Sequence, residues 1–232
     1  MEARTVSASL TVVIPCLDEE REIRATLAAL APARERGVEV VVADGGSTDA
    51  TVSIASRGAD RVVDAPRGRA SQMNAGAGAA SGDVLLFLHA DTRLPRDFDR
   101  LALQGLAWSR RDWGRFDVRI EGRHPLLALV AASMNVRSRI TGIATGDQAL
   151  FVRRSVFREV GGFAAIPLME DIELARVLRA RGRPLCLRER VITSGRRWDE
   201  HGLMKTVLLM WSLRYAYWRG ADPRELARRY VR

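Results

Sequence analysis

Apolar runs and helical periodicities alternate from the start of the chain. A run over residues 10–14 is stopped by Pro15, and apolar positions Ile23, Leu27 and Leu30 then recur at helical spacing, with Asp18 placed to cap that helix. A second run spans 38–43, after which Ser47 or Thr48 offers a cap for a helix to about residue 56. A short strand is expected at 61–63 and a helix at 70–80. A strongly apolar strand at 84–88 then ends in His89, Ala90 and Asp91. Runs without a polar face suit strands covered on both sides, and strand–helix alternation implies crossover connections in a mostly parallel sheet.

After Asp91 the rhythm loosens. Helices are expected at 96–109, 126–140, 170–181, 202–218 and 223–231, strands at 114–120 and 148–152, and a short strand pair at 185–191. No repeat, low-complexity tract or Gly/Ser linker intervenes, so one α/β domain over 1–232 is expected. Its halves, 1–91 and 92–232, would share a continuous sheet.

Composition narrows the class. With 47% hydrophobic and 28% charged residues the chain can bury a core, which argues against disorder or a disulfide-stapled miniprotein. Cys16 and Cys186 lie far apart with no zinc-type spacing, which favours a reducing, cytoplasmic setting. The opening MEARTVSASL lacks a basic start followed by the long apolar core of a leader. Stretches 125–134 and 203–218 are respectively short and interrupted by Lys205 and Arg214, so neither suits a hydrocarbon layer of about 30 Å. A soluble protein is expected, at most peripheral on the inner membrane face.

Charge is uneven. Residues 1–91 hold 9 Arg and 13 Asp or Glu, net −4, while 92–232 hold 28 Arg or Lys and 15 Asp or Glu, net +13. The second part suits an anionic partner such as a membrane surface, or is a solvated basic face. No nucleic acid is expected, because Arg is not interleaved with aromatics and no helix-turn-helix, RRM or zinc pattern occurs.

Ligands of open parallel sheets bind beyond the carboxyl ends of the strands. Those ends carry PCLDEE, ADGGSTDAT and HAD, and RGR precedes the helix at 70–80. Asp18, Glu19, Asp44 and Asp91 would converge at one rim, where a cation or ligand donors must offset their repulsion. In Asp44-Gly45-Gly46-Ser47 the glycines allow a sharp turn. Asp44 either accepts hydrogen bonds from a base or ribose, or caps a helix together with Ser47. GAGAASG lies within a helix leading into a strand, opposite to a dinucleotide loop, and is assigned to tight packing.

In this order the segments VVIPCLDEE, VVADGGSTDAT, RGRASQMNAGAGAASGDVLLFLHADT, GDQALFVRRSVFREVGGF and MEDIELARVLRARG resemble family 2 glycosyltransferases of the GT-A fold, over nearly the whole chain. Within the family the chain is similar to a short bacterial branch associated with radical-SAM/selenodomain or arsenosugar gene sets, and to carotenoid-acid glycosyltransferases. The resemblance implies a GT-A-like α/β fold, a mostly parallel central sheet flanked by helices. The nucleotide-sugar half would be 1–91 and the acceptor half, with C-terminal helices, 92–232.

The resemblance also distributes roles. Pro15, Leu17, Glu19 and Asp44 would hold base and ribose, with Gly46 and Ser47 shaping the turn and Arg69 and Asn74 near the diphosphate. His89, Ala90 and Asp91 occupy the DxD position, His89 replacing the first Asp, and Asp91 would coordinate Mg2+ or Mn2+. Asp171 matches the base and Glu170 its acidic neighbour, although acids at a helix start also favour the dipole. Gly146, Asp147 and Gln148, continued by 151–154, would face the acceptor. Arg196 or Arg197 would clamp a phosphate, Trp198 would stack on a sugar, and His201 would be a second metal ligand. Met204, Leu208, Trp211, Tyr215 and Trp218 share a helical face, for core packing or for a membrane surface.

The implied activity is inverting transfer from a nucleotide-diphosphate sugar, UDP-linked, to a hydroxyl or carboxyl of a lipid, carotenoid acid or small metabolite. One alternative is a nucleotidyltransferase, which normally opens with a Gly-rich basic loop where this chain has PCLDEE. The other is a non-catalytic GT-A-like binding domain, which His89 leaves open.

Overall fold

Strand β1 (Leu10–Cys16) is buried along almost its whole length because helices cover both faces. Val12 and Ile14 point into one apolar cluster with Ile23, Leu27 and Leu30, while Val13 points into another with Ala70, Met73 and Ala77. The period of two along a strand divides the run between two cores. The structure is a computed structural model that describes residues 8–231; residues 1–7, part of the segment bearing on the leader expectation, and Arg232 lie outside it.

From β1 the chain continues through α1 (Glu20–Glu35), β2 (Glu39–Asp44), α2 (Thr51–Gly58), β3 (Arg61–Asp64), α3 (Arg69–Ala79) and β4 (Val84–Phe87). The second half comprises β5 (Thr92–Arg93), α4 (Phe98–Ser109), β6 (Trp113–Glu121), α5 (Leu127–Thr141), β7 (Phe151–Arg153) and α6 (Arg154–Glu159). It ends with α7 (Glu170–Arg181), β8 (Leu185–Ser194), α8 (Arg196–His201), α9 (Leu203–Trp218) and α10 (Pro223–Val231). One eight-stranded sheet has the order β3-β2-β1-β4-β7-β6-β8-β5. The pairs among β1 to β4 are parallel, β7 runs antiparallel between β4 and β6, β8 is parallel to β6, and β5 closes the edge antiparallel to β8. Both halves therefore contribute to one sheet, parallel in the first and mixed in the second. Among the described residues no helix is long and apolar enough to cross a membrane.

Several local expectations are corrected. Asp18 adopts φ 54° and does not cap α1; its carboxylate accepts the Thr48 amide at 2.8 Å. Neither Ser47 nor Thr48 starts a helix, because Ser47 is drawn back to Asp44 and α2 begins only at Thr51. The expected pair at 185–191 is one strand, β8, with an irregularity opposite Phe116 and Asp117. Helices α6 and α8, six residues each, are too short to leave a periodic signal. Gly76 supports the packing assignment, since a Cβ there would lie 2.4 Å from Val13 Cγ1.

A buried polar knot ties β6 to α5. Arg115 is fully buried, pairs with Asp117 and donates to Asn135 O at 3.1 Å, while Arg139 grips Asp117 from the other side at 2.9 and 3.0 Å. The Asn135 side chain bonds both backbone polar groups of Val118, and Gln148 donates to Ser138 Oγ at 3.1 Å. Gln148, expected to face the acceptor, is thus part of the interior.

Removing one partner of a buried pair leaves a desolvated charge. Asp117→Ala should therefore lower the unfolding free energy by about 3–5 kcal/mol. Arg181→Ala, which breaks the half-exposed pair with Glu159, should cost at most about 1 kcal/mol. Urea denaturation of the two variants checks the contrast, and equal losses would show that the knot has no special weight.

Candidate active site

The carboxyl ends of β1 and β2 are laced together. Asp44, buried at the end of β2, accepts the Gly46 and Ser47 amides at 2.9 and 2.8 Å through one oxygen and the Ser47 hydroxyl through the other. Gly46 has φ +90°, so the turn needs a residue without a Cβ. Ser47 Oγ in turn accepts the Asp18 amide at 2.9 Å, and Thr51 Oγ1 accepts that of Glu19 at 2.7 Å. Gln72, buried on α3, donates to Cys16 O at 2.5 Å and Ala43 O at 3.1 Å, bridging the two strand ends from below. Sequence reasoning missed Gln72; one amide within a helical stretch gives no signal of its own.

Glu19, His89 and Asp91 meet at the next part of the rim. Burial, then repulsion from Asp91, pushes the Glu19 carboxyl above its ordinary value, with Arg196 and His89 acting in the opposite sense. Burial, with Glu19 and Asp44 adding, also pushes the Cys16 thiol up, which makes it a poor nucleophile. Ala90 is buried, and its carbonyl accepts the Thr26 hydroxyl. Pro15 and Leu17 are half-buried at the β1 end.

His89 joins this rim to the second half. Its Nδ1 lies 3.4 Å from Asp147 Oδ1, and its Nε2 is buried without a partner. A Cβ on Gly146 would come within 2.6 Å of His89 Nε2 and 3.7 Å of Asp171 Oδ2. The Gly146 amide donates to Asp171 Oδ2 at 2.7 Å, and the Ile172 amide donates to Oδ1 at 2.7 Å. Met169, with φ 70°, turns the chain sharply into α7 just before the acids. It is held by an apolar cluster with Leu213 of α9 and Leu226 of α10.

Arg69, His89, Asp147, Glu170 and Asp171 line a cavity of about 510 Å³ whose remaining wall is largely apolar and comes from α5, α9 and the start of α7. Asp44, Glu19 and Asp91 stand outside that wall, at the rim. Two expected ligand contacts are otherwise engaged. Asn74 exchanges both amide atoms with the Phe163 backbone at 2.8 and 2.9 Å, so its amide holds a loop instead of facing a diphosphate. Arg197 stacks 3.6 Å over the Tyr230 ring and donates to Tyr230 O at 2.7 Å, on the cavity side. Its neighbour Arg196, which acts on Glu19 and lies 3.9 Å from Glu22, is the arginine on the rim side. Trp198 lines the cavity, whereas His201 is exposed at the end of α8 and does not.

Among the described residues no group of three or more His, Cys, Asp or Glu is arranged to hold a metal ion by itself. A Mg2+-type ion needs only one or two carboxylates when substrate phosphates and water complete its shell. Asp91 beside the repelled Glu19 fits that demand.

Glu170 is buried on α7 with Arg69 Nη1 3.5 Å away. Burial, then repulsion from Asp171, nevertheless pushes its carboxyl above the ordinary value of 4.5. A folded-state pKa above the unfolded one means that stability falls as pH rises through the interval between them. Glu170→Gln should therefore be more stable than the parent chain at neutral pH, and the advantage should vanish below about pH 4.5, where both states are protonated. Urea midpoints across this pH range test it, and a pH-independent difference would show that packing, not charge, sets the effect.

Comparison with known proteins places this geometry. A family model described as glycosyl transferase family 2 matches residues 11–160, more than half of the chain. Uncharacterized glycosyltransferases of Mycobacterium tuberculosis and Mycobacterium bovis are 42% identical over 84 residues, 36% of this chain and 37% of each relative, so little more than a third of their length is matched. Among solved structures, Staphylococcus aureus TarS (residues 1–349) aligns with a TM-score of 0.65 at 21% identity, over 80% of this chain and 60% of that one. A mannosyltransferase of Pyrobaculum calidifontis in complex with GDP-Man and Mn2+ gives 0.63 at 22%, over 81% and 57%. Glucosyl-3-phosphoglycerate synthase of M. tuberculosis, with Mn2+, UDP and glucosyl-3-phosphoglycerate, gives 0.62 at 20%, over 87% and 78%. Identities this low carry the fold alone, and that fold is GT-A. Because the family match runs from β1 through α6 and takes in the ends of β1, β2 and β4, the chain belongs to glycosyl transferase family 2.

Proposed function

We propose that the protein moves a sugar from a nucleoside-diphosphate donor, UDP-linked, to a hydroxyl or carboxyl acceptor with inversion at the anomeric carbon. The observation that carries this reading is the Gly146 seam, which sets Asp171 in the cavity wall next to His89 while His89 leads directly to Asp91 at the rim. TarS in complex with UDP-GlcNAc and the UDP-bound synthase share the fold, which supports a nucleotide-sugar donor.

In this reading the donor lies along 1–91. Its base and ribose rest on Pro15, Leu17, Glu19 and the Asp44 turn with Gly46 and Ser47. Asp91 would hold Mg2+ or Mn2+, whose charge offsets that building on the departing diphosphate. Arg196 is better placed than Arg197 to meet phosphate. Arg69, tied to Glu170, sets one wall between donor and acceptor. The acceptor enters the cavity of 92–232, and Asp171, oriented by two amides, takes its hydroxyl proton as the oxygen attacks opposite the diphosphate. Glu170 orients Arg69 and does not touch substrate. Membership of the short bacterial branch named above is part of this reading and rests on the sequence resemblance.

Asp171→Asn should lower transfer by about 10²–10⁴-fold while UDP binding, read by calorimetry, persists. Full turnover in that variant would reject the assigned base. Asp91→Ala should weaken UDP binding in the presence of Mn2+ and leave it alone without the ion; identical titrations with Mn2+ would remove Asp91 from the metal site.

A further inference from the structure

Two helices that border the acceptor cavity leave apolar stripes uncovered. On α5 and its preceding residue, Leu126, Leu129, Val136 and Ile140 are exposed, Leu129 at 68%. On α9, Met204, Leu208, Trp211, Tyr215 and Trp218 are exposed, Trp211 at 69% and Trp218 at 76%. Each set recurs at helical spacing, so each is one face, and Leu126, Leu129, Met204 and Trp211 also line the cavity. The stripes and the cavity are thus a continuous apolar surface.

Two arginines of the same cavity have no acidic partner among the described residues, although Asp147, Glu170 and Asp171 line its other part. Arg137 projects from α5 with Nε and Nη2 buried and unpartnered. Arg214 of α9 is half-buried, no carboxylate pairs with it among the described residues, and burial alone pushes its guanidinium down from its ordinary value. A buried guanidinium without an acceptor is costly, and an anion is the ligand that relieves it.

We propose that this cavity takes an anionic amphiphile carrying a free hydroxyl, drawn from a lipid bilayer on which α5 and α9 rest. Its anionic group pairs with Arg137 and Arg214, its hydroxyl lies at Asp171, and its chain leaves past Leu129, Met204 and Trp211. A bilayer fits this face better than a second copy, because residues 92–232 carry net +13 and two such halves would repel each other. An anionic surface attracts them, and Trp and Tyr with an apolar body and a polar edge favour the headgroup level. Calling the amphiphile the acceptor rests on the transferase reading above. In the transfer, a bond forms between its hydroxyl oxygen and the anomeric carbon, and the bond from that carbon to the diphosphate breaks. The electron pair leaves on the diphosphate and the hydroxyl proton passes to Asp171.

The test uses the full chain with vesicles of phosphatidylcholine, alone or mixed with phosphatidylglycerol, read by co-sedimentation and by quenching of Trp fluorescence from brominated chains. The protein should bind the mixed vesicles and be quenched. Leu208→Ser combined with Trp218→Ser, both exposed and outside the cavity wall, should lower the partition by about tenfold or more without changing UDP affinity. Arg137→Gln combined with Arg214→Gln should weaken binding to mixed vesicles only. The proposal is overturned if the protein stays free of mixed vesicles, or binds without quenching and is released by salt, or if sedimentation shows a dimer that buries the Trp face. UDP calorimetry separates the two readings: lost vesicle binding with intact UDP binding sinks this inference alone, and the reverse sinks the donor site alone.

Discussion

The two halves meet where only a hydrogen atom fits. At Gly146 any Cβ would strike the His89 ring, and the amide of the same residue orients the Asp171 carboxylate. A glycine here leaves room for the His89 ring, two residues past β4, while its amide bonds Asp171 at the start of α7. That contact sets Asp171 of the second half next to His89 of the first. On one side lie the rim acids after β1, β2 and β4, and on the other lies the cavity under α5 and α9.

The seam concentrates charge, and the fold handles that charge unevenly. The Asp117 carboxylate is held by both Arg115 and Arg139, although Arg115 Nε is left without a partner, and the Asp44 carboxylate is satisfied within its own turn. Glu19 and Glu170 are not: each is pushed toward its neutral form by burial and by a neighbouring acid. Buried like charges destabilise a fold unless a ligand compensates them, and they cluster where ligands are expected.

The C-terminal helices belong to the site as much as to the scaffold. Met169, which turns the chain into the acids of α7, is packed by Leu213 and Leu226, and Tyr217 of α9 donates to Glu173 at 2.9 Å. Helices α9 and α10 therefore hold the start of α7 while presenting an uncovered apolar stripe outward. Core packing, one of the two alternatives for Met204, Leu208, Trp211, Tyr215 and Trp218, is overturned: all five are exposed, and α9 packs inward through Leu203, Thr206 and Leu213 instead.

Much of the architecture was legible in the residues. The apolar runs at 10–14, 38–43 and 84–88 mark buried parallel strands, and the positions of PCLDEE, DGGS and HAD put the rim acids at strand ends, because strand period and chain direction are local properties. Partner choice was not legible. The composition of Asn74 and Arg197 matches a phosphate site, yet one is bonded to Phe163 and the other is stacked on Tyr230, residues 89 and 33 positions away. Gln72 and Arg115 gave no sequence signal, and Gln148, expected toward the acceptor, is bonded inside instead, since a polar side chain reveals its role only when distant backbone surrounds it. Local sequence determines which segments are strands and helices and which ends carry acids. Only tertiary packing decides which polar groups are already satisfied by the fold and which are left for a ligand, because hydrogen-bond partners are set by distance in space and not along the chain.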